Sequence, residues 1–326
     1  MKLFTDFEDV TVREENPVDQ SALEKILEVE KEIFVEEKKN NWYSSFPSSK
    51  AYSFLYTSVE KKLANITMTA KLLQEYINTR ENHNKNKEAD ILGMYSSTLL
   101  QVTCKTQPDK GIQIDGEGRT FNYLFCQVLR ASNVTVCNFK GNSILEYAGS
   151  FGGSVKNIVA INITGESTLA YLAHNNGTAE NIIAANIQGN DVFSLAGSYE
   201  GNLKNILATH IKGNRTYEGM SQQFGNAKYI FATCLEGNWN LPFNDPNQGN
   251  EDYIVATDLK GNFTFNGTES KVNHFLEDEN IDSRQKIIIE KIEQLAKTMY
   301  LLPLEEQTKA HEEIARLQTE LFAEEK

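Results

Sequence analysis

Two carboxylates and an arginine near residue 115 come closest to a set of side chains that could do acid–base chemistry. Asp109 and Asp115 precede Arg119, and Arg130 follows in the next segment. Carboxylates paired with basic side chains can act as a general acid and a general base. Polysaccharide cleavage is the reaction that such a cluster would serve. The alternative, which we favour, is that these are turn residues beside a solvated surface.

Other signatures of catalysis or of metal binding are missing from the sequence. The five histidines, His83, His174, His210, His274 and His311, show neither HxxxH nor HxH spacing, so the sequence predicts no metal site. The phosphate-binding and nucleophile motifs GxxxxGK[ST], GxGxxG and GxSxG do not occur. We therefore expect no cofactor and favour a non-enzymatic role.

The strongest pattern is a repeat of 24 residues between Asn133 and Asn273, whose six rows begin NVTVCNFKGN, NIVAINITGE, NIIAANIQGN, NILATHIKGN, YIFATCLEGN and YIVATDLKGN. One glycine column comprises Gly141, Gly165, Gly189, Gly213, Gly237 and Gly261, and a second comprises Gly153, Gly177, Gly201, Gly225 and Gly249. This period is too short for two helices and a turn, and it suits one coil of a β-solenoid. Gly189 and Gly213 are expected at corners that need a positive φ or a close coil-to-coil approach.

Apolar side chains occupy the second, fourth and seventh places of each row. The second and fourth lie on one face of a strand, because side chains alternate along a strand. The step to the seventh place needs a bend near the sixth, where Asn138, Asn162 and Asn186 tolerate turn conformations. A second apolar pair follows the glycine, as in Leu145 and Tyr147, so each row is expected to supply two or three short strands.

The rows resemble a known repeat. The segments FSLAGSYEGNLKNILATHIKGN (Phe193 to Asn214) and LAYLAHNNGTAENIIAANIQGN (Leu169 to Asn190) are similar to the GLUG-type repeats of large bacterial surface proteins. They share its small-residue LAG step, its glycine turn and its xNxxA…xGN strand. The resemblance implies a solenoid over residues 133–273 and, since the family's repeats are spacers and binding stalks beside separate catalytic domains, a binding or structural role. The helical ends and the missing signal peptide depart from that family.

Helical periodicity on both sides of the repeat predicts three units. These are an N-terminal helical hairpin with a linker over residues 1–90, a β-solenoid with an irregular first coil over 91–276, and a C-terminal helical hairpin over 277–326. The predicted fold class is mixed and mainly β, a parallel β-solenoid of about six 24-residue coils flanked by α-helical hairpins.

Four helices are expected at these ends. They run from Ser21 to about Lys38, from Ala51 to about Arg80, from Ile281 to Leu302 and from Leu304 to Glu324. The polar run Glu81–Asp90 is expected to be the linker.

The first coil, at residues 109–132, fits the repeat only in part. When residues 109–132 are aligned with the next row, Phe121 and Tyr123 correspond to Leu145 and Tyr147. Neither glycine is in register there, as is usual for the terminal repeat of a solenoid.

Several apolar side chains are expected to point away from the solenoid core. They are Leu207, Phe231 and Val255 at the third place and Tyr229 and Tyr253 at the first place. They make a candidate binding patch, covered either by a partner or by the chain's own helices.

The C-terminal helices carry a long apolar seam, formed by Ile288, Ile292, Leu295, Met299, Ile314, Leu317 and Leu321. This is more apolar surface than two helices alone can cover. We expect the seam to serve in homo-oligomerisation or to cap a solenoid end, whose unpaired strand edge is otherwise open.

Composition limits the class of partner. The net charge of −13 argues against nucleic acid, because binding to phosphate backbones depends on clustered Lys and Arg. The N-terminus lacks the apolar core of a secretion signal, and no apolar run approaches the roughly 20 residues of a membrane span. Cys104, Cys126, Cys137 and Cys234 form no CxxC pair, which favours free thiols in the cytoplasm.

These features predict a cytoplasmic, non-enzymatic scaffold that binds a protein partner or itself. The alternative is a carbohydrate-binding or carbohydrate-cleaving β-helix protein. A coil face with several aromatic side chains and a carboxylate pair would favour the alternative. An apolar helical face left exposed would favour the scaffold.

Overall fold

Each row of the repeat forms one turn of a parallel β-solenoid. The structure, a computed structural model, describes residues 19–40, 49–80, 87–108, 110–242, 251–261, 263–266, 272–277 and 281–322. The solenoid has about six turns, with helices α1–α4 before it and α5–α6 after it in the chain. The predicted fold class is confirmed.

One long strand per turn pairs in parallel with its copy in the next turn. The main strands are β1 (Ile112–Asp115), β2 (Arg130–Cys137), β3 (Ser154–Thr164), β4 (Thr178–Gln188), β5 (Asn202–Lys212), β6 (Asn226–Glu236), β8 (Glu251–Lys260) and β10 (Val272–Glu277). They form one eight-stranded sheet in the order β1-β2-β3-β4-β5-β6-β8-β10. The short strands β7 (Trp239–Pro242) and β9 (Phe263–Asn266) pair separately. Ile158, Ile182 and Ile206 stand in register, one period apart.

In the first four rows the expected second and third strands are replaced by a run of turns, whereas in the last two rows β7 and β9 form a second strand. In this run every second residue has a left-handed backbone, with φ of 59° at Ser143, 58° at Leu145 and 57° at Tyr147. Such a conformation costs a non-glycine residue about 1–2 kcal/mol. Hydrogen bonds to both neighbouring coils offset the cost: the Leu145 amide donates to the Leu124 carbonyl at 2.8 Å, and the Tyr147 amide donates to the Ala170 carbonyl at 2.9 Å.

The first coil is shorter than the others, and the predicted match of Phe121 and Tyr123 is wrong. Leu145 bonds through its amide to the carbonyl of Leu124, as Leu169 bonds to Ile144 one coil later. Phe125 therefore takes the place that corresponds to Leu145. Deletions of this kind cannot be seen from a fixed period.

Asparagine ladders tie the coils together. The predicted bend at the sixth place is confirmed, with φ of 59° at Asn138, 54° at Asn162 and 51° at Asn186. The Nδ2 of Asn162 donates to the Oδ1 of Asn138 at 2.9 Å, and the Nδ2 of Asn186 donates to the Oδ1 of Asn162 at 2.6 Å. A parallel ladder joins the first places, where Asn181 donates to Asn157 at 2.8 Å. Each ladder satisfies side-chain amides and sets the register of the coils.

The described residues of the N-terminal region form four helices rather than a hairpin. They are α1 (Gln20–Asn40), α2 (Ser49–Lys62), α3 (Ala70–Asn78) and α4 (Lys87–Thr106). The single helix predicted to Arg80 is interrupted because Thr69 caps a new one, its hydroxyl accepting from the Leu72 amide at 3.1 Å. The end of the predicted linker, Lys87–Asp90, already belongs to α4, and residues 81–86 lie outside the described part of the chain.

This helical unit covers the first edge of the sheet. The side-chain amide of Gln74 on α3 accepts from the Asp115 amide at 2.8 Å and donates to the Asp115 carbonyl at 2.9 Å. Gly93 of α4 lies so close to the first coil that a Cβ there would stand 2.4 Å from the Tyr123 carbonyl oxygen. Covering an edge strand in this way removes a template for edge-to-edge association.

The C-terminal helices α5 (Ser283–Thr298) and α6 (Leu304–Leu321) lie along the outer face of the sheet. They bury the third-place and fifth-place side chains in a second apolar core, separate from the interior of the solenoid. The candidate patch residues Leu207, Phe231 and Val255 are each at most 1% exposed there. The sequence left open whether a partner or the chain's own helices cover this patch. In the structure, helices α5 and α6 cover it.

The seam predicted for oligomerisation is the other half of this same core. Ile288, Ile292, Met299, Ile314, Leu317 and Leu321 are buried in it, and Leu295 packs against it. The seam is therefore occupied within the chain. It also covers a face of the sheet rather than a solenoid end, because the third-place and fifth-place side chains already offer an apolar strip.

Helix α6 runs along the solenoid axis. Near its start, Gln307 accepts from the Thr135 hydroxyl of β2 at 2.5 Å and donates to Gln113 of β1 at 2.9 Å. Beyond its end, the ring of Phe322 lies 4.8 Å from the ring of Tyr253 on β8. Gln307 and Phe322 thus contact strands that are five positions apart in the sheet, β2 and β8.

Two polar side chains on α6 are buried without a hydrogen-bond partner in the described structure. His311 is 4% exposed and Gln318 is 2% exposed, and the His311 Nδ1 and both amide atoms of Gln318 are unpaired. They line a cavity of about 10 Å³ against Asn181 and Asn205, which is close to the space that one water needs. Burial lowers the pKa of His311 from 6.5 to about 4.

Gly189→Ala should lower the free energy of unfolding by several kcal/mol, because a Cβ at Gly189 would lie 1.7 Å from the carbonyl oxygen of Gly165. The close approach predicted for Gly189 and Gly213 is thus confirmed. Gly152→Ala is the matched control: its φ is +74° and a Cβ there meets no described atom within 4 Å, so it should lose only about 1–2 kcal/mol. Urea unfolding compares the two, and equal losses would contradict steric contact as the cause.

Acid should weaken the docking of α6 through His311. Its pKa is lower in the folded chain, so between about pH 6.5 and pH 4 the unfolded chain binds a proton that the folded chain rejects. The free energy of unfolding therefore decreases as the pH is lowered through that range, by up to about 2 kcal/mol at pH 5. Thermal unfolding of His311→Leu at pH 7.5 and pH 5 should show a smaller difference than the unchanged chain. An identical difference in both proteins would contradict this role.

Candidate binding face on the solenoid turns

The carboxylates and arginine considered for polysaccharide cleavage have structural partners. Asp109 lies outside the described residues. The Oδ1 of Asp115 accepts from Asn138 Nδ2 at 3.0 Å, which ends the asparagine ladder, and from the Glu117 amide at 2.8 Å. The guanidinium of Arg119 donates to Glu117 at 2.9 Å and to Asn78 at 3.0 Å. No hydrogen bond or ion pair between described residues joins Asp115 to Arg119, so the geometry supports the turn interpretation.

The remaining residues of the candidate binding patch lie beside α6. Tyr229 and Tyr253 stack at 4.7 Å between ring centroids, and Phe322 covers Tyr253. Together with the three buried residues of the patch, they form an internal contact between the helices and the sheet. A surface with free aromatic side chains must therefore be sought elsewhere.

A different set of rings lines the outside of the turn run. We call it the aromatic face, and it comprises Tyr147, Phe151, Tyr171, His174 and Tyr199. Tyr147 and Tyr171 stack at 4.5 Å between ring centroids, Tyr171 meets His174 at 5.5 Å, and His174 meets Tyr199 at 4.8 Å. The rings therefore form a continuous row across three successive coils.

The backbone of the turn run explains why these rings point outward. Of the apolar pair that follows the glycine, Leu145 and Leu169 are fully buried, whereas Tyr147 and Tyr171 are partly exposed. Tyr147 and Tyr171 occupy the same place in consecutive coils, so their rings meet at the spacing of the coils. Two apolar residues two places apart predicted one face of a short strand, so the sequence did not indicate that Tyr147 and Tyr171 point outward.

Exposure and polar neighbours make the face suitable for a ligand that is both polar and apolar. Tyr199 is 45% exposed, and Phe224, farther along the same edge, is 62% exposed. Asn175 and Asn176 lie exposed beside the rings and offer amide donors and acceptors. Rings with such neighbours can stack on an apolar surface and hydrogen-bond at its edges.

The ring of His174 is a neutral part of this row. Burial lowers its pKa from 6.5, and its Nδ1 has no hydrogen-bond partner in the described structure. Its amide is held by the Ser150 hydroxyl at 3.1 Å, which fixes its position beside Tyr171. At neutral pH it therefore acts as an aromatic contact between two tyrosines.

A carboxyl group with a raised pKa adjoins the face. Burial raises the pKa of Glu146 from 4.5 to about 7, the Ser143 hydroxyl opposes the rise, and the carboxylates of Asp90 and Asp191 add to it. Near pH 7 this carboxyl is protonated in part, and a protonated carboxyl donates a hydrogen bond as well as accepting one. Glu146 is the titratable group that could make binding on this face depend on pH.

A second cluster contains a histidine, a cysteine and an aspartate, but its geometry supports neither a nucleophile nor a metal site. His210, Cys234 and Asp258 stand at the sixth place of three successive coils and line a groove of about 270 Å³. The Sγ of Cys234 lies 3.7 Å from Glu293 Oε1, and burial, followed by the charge of Glu293, raises the pKa of Cys234 to about 12. A thiol of that kind is a poor nucleophile. No group of three potential ligands in the described part of the chain could hold a metal ion.

Glu146→Gln should stabilise the protein at pH 8. Because its pKa is raised in the folded chain, the free energy of unfolding falls as pH rises from about 4.5 to 7 and stays lower above that. The substitution should recover at most about 3 kcal/mol at pH 8 and almost nothing near pH 4.5. Glu218→Gln, at the same place three coils later and 3.8 Å from Arg215, is the control that should show no such gain. Chemical unfolding at both pH values measures the difference, and equal gains in both variants would contradict the assignment.

Comparison with known proteins does not extend these findings to a function. No protein-family model, curated protein or solved structure matches this chain. The resemblance of its rows to GLUG-type repeats stays a prediction. Among the described helices, none is long and apolar enough to cross a membrane. Function must therefore be inferred from the aromatic face itself.

Proposed function

We propose that this protein is a non-enzymatic binding scaffold whose ligand-binding surface is the aromatic face. The observation that carries the proposal is the continuous row of partly exposed rings from Tyr147 through Tyr171 and His174 to Tyr199. Tyr199 is 45% exposed, and the other four rings of the face are partly exposed. Backbone hydrogen bonds to the neighbouring coils hold the turn run that carries them, so little of the binding energy is spent on ordering the site.

Carbohydrate is the ligand class that this surface favours over a protein partner. Sugar rings present apolar C–H faces, which suit aromatic stacking, and hydroxyl edges, which suit the amides of Asn175 and Asn176. The apolar faces of α5 and α6, which would have favoured a protein scaffold if exposed, are buried against the sheet. A ladder of rings at the coil spacing also suits an extended chain of repeating units.

The geometry supports binding over cleavage. Asp115 and Arg119, the residues considered for cleavage, have hydrogen-bonding partners that leave them apart. Glu146 lies beside the rings, but general acid–base cleavage of a glycoside needs two carboxyl groups that flank one bond. The other carboxylates that act on Glu146 come from Asp90 on α4 and from Asp191 two coils away.

Tyr171→Ala should weaken carbohydrate binding about tenfold. This ring contacts both Tyr147 and His174, so its loss interrupts the row at its centre. A tenfold loss corresponds to about 1.4 kcal/mol, which is near the upper end of the range for an aromatic contact. Affinity electrophoresis through a panel of soluble polysaccharides identifies the ligand, and calorimetry on the best one measures the loss.

Two further variants make the result specific. Tyr171→Phe keeps the ring and should retain most of the affinity. Phe54→Ala removes a 50% exposed ring from α2, away from the face, and should have no effect. If no polysaccharide binds, the carbohydrate assignment fails. If Phe54→Ala weakens binding as much as Tyr171→Ala, the aromatic face is not the site.

A further inference from the structure

A groove lies where the N-terminal helices meet the first long strands of the solenoid, away from the aromatic face. Its volume is about 700 Å³, which is within the range of sites for small molecules. Side chains from α2 and α4 form one wall, and side chains from β2 and β3 form the other. Nothing in the proposed carbohydrate binding uses this groove.

The groove concentrates positive charge in an acidic protein. Among the described residues that line it, Lys105, Arg130 and Lys156 are cationic and Glu60 is anionic. The lining residues therefore carry two net positive charges, or one when Glu180, 3.8 Å from Lys156, is included, whereas the whole chain carries −13. A local field opposite to the overall charge attracts and holds small anions.

Arg130 is the cation best placed to bind a ligand. Its side chain is exposed, and no described carboxylate pairs with it. Its backbone is fixed, because the Arg130 amide donates to the buried side chain of Gln101 on α4 at 3.0 Å. A guanidinium on a fixed backbone can donate two parallel hydrogen bonds to one oxyanion.

Lys156 and Ser154 extend this site on the neighbouring strand. Ser154 is the register partner of Arg130, and Lys156 is the partner of Ser132. Positions 130, 154 and 156 thus lie on the same side of two adjacent strands, with a hydroxyl beside the two cations. Lys105 reaches the groove from α4 and is paired with Glu60, whose carboxylate also accepts from the Tyr56 hydroxyl at 3.3 Å.

We propose that this groove binds the phosphate group of a small phosphorylated molecule. A phosphate group has more acceptor oxygens than a carboxylate, so it can accept from Arg130, Lys156 and Ser154 together. Arg130 and Lys156 bind the phosphate oxygens, Ser154 donates a further hydrogen bond, and the ring of Tyr56 forms part of the wall beside the esterified group.

The column that contains Lys156 offers a matched control. Lys204 stands at the same place two coils later, outside the groove. Glu180 lies between the two, 3.8 Å from Lys156 and 4.0 Å from Lys204. The two lysines therefore have the same partner and similar exposure, and they differ in whether they line the groove.

Calorimetry on the full chain at constant ionic strength tests the proposal. The probes are inorganic phosphate, a set of small phosphate monoesters, sulfate and acetate. We expect one site, with monoesters binding more tightly than inorganic phosphate and both more tightly than sulfate or acetate. Arg130→Gln should weaken the binding at least tenfold and Lys156→Gln severalfold, while Lys204→Gln should change it less than twofold.

Several outcomes would overturn the proposal. They are no saturable binding, equal binding of sulfate and phosphate, monoesters weaker than inorganic phosphate, or an equal loss in Lys156→Gln and Lys204→Gln. The substituted side chains are exposed, so thermal unfolding should confirm that each variant is folded. Tyr171→Ala, which removes a ring of the aromatic face, should leave phosphate binding unchanged. Phosphate binding in the groove and carbohydrate binding on the aromatic face are therefore tested independently.

Discussion

Adjacent coils approach so closely at the glycine corner that no side chain fits between them. A Cβ at Gly165, Gly189 or Gly213 would lie within 2 Å of the glycine carbonyl oxygen in the preceding coil. Hydrogen bonds between parallel strands set the spacing of the coils, glycine permits that spacing at this corner, and the other regularities depend on it. Side chains that share a place in successive rows must then stand directly above one another, as asparagine ladders inside the bends and as stacked tyrosines on the aromatic face.

Much of the solenoid was predictable because its strongest constraints fall on residues that a reader of sequence recognises. Glycines at a fixed period, apolar places two apart and asparagines at the bend each have a single common explanation. The turn run was not predictable in this way. Left-handed backbones are expected at Gly and Asn, whereas here they occur at Leu145 and Tyr147, where bonds to neighbouring coils impose them. Apolar residues two places apart resembled a strand. The pattern therefore did not show that Leu145 points inward and Tyr147 outward, and the aromatic face was not predicted.

The helical ends show a second limit of sequence reasoning. An amphipathic helix reveals which face is buried, but not the surface that buries it. The seam of α5 and α6 and the apolar strip at Leu207, Phe231 and Val255 were both visible, and the structure shows that they cover each other. The groove around Arg130 was beyond reach for a related reason, since its two walls come from segments that no local pattern connects.

The length of helix α6 matches the length of the solenoid face that it covers. From Gln307, beside β2, to Phe322, beside β8, it spans fifteen residues, or roughly 23 Å at 1.5 Å per residue. The five strand spacings between β2 and β8 amount to about 24 Å. A chain that gained one coil by duplicating 24 residues would leave one row of apolar side chains uncovered, unless α6 also gained about three residues. Coil number and helix length are therefore expected to change together among any proteins that share this architecture.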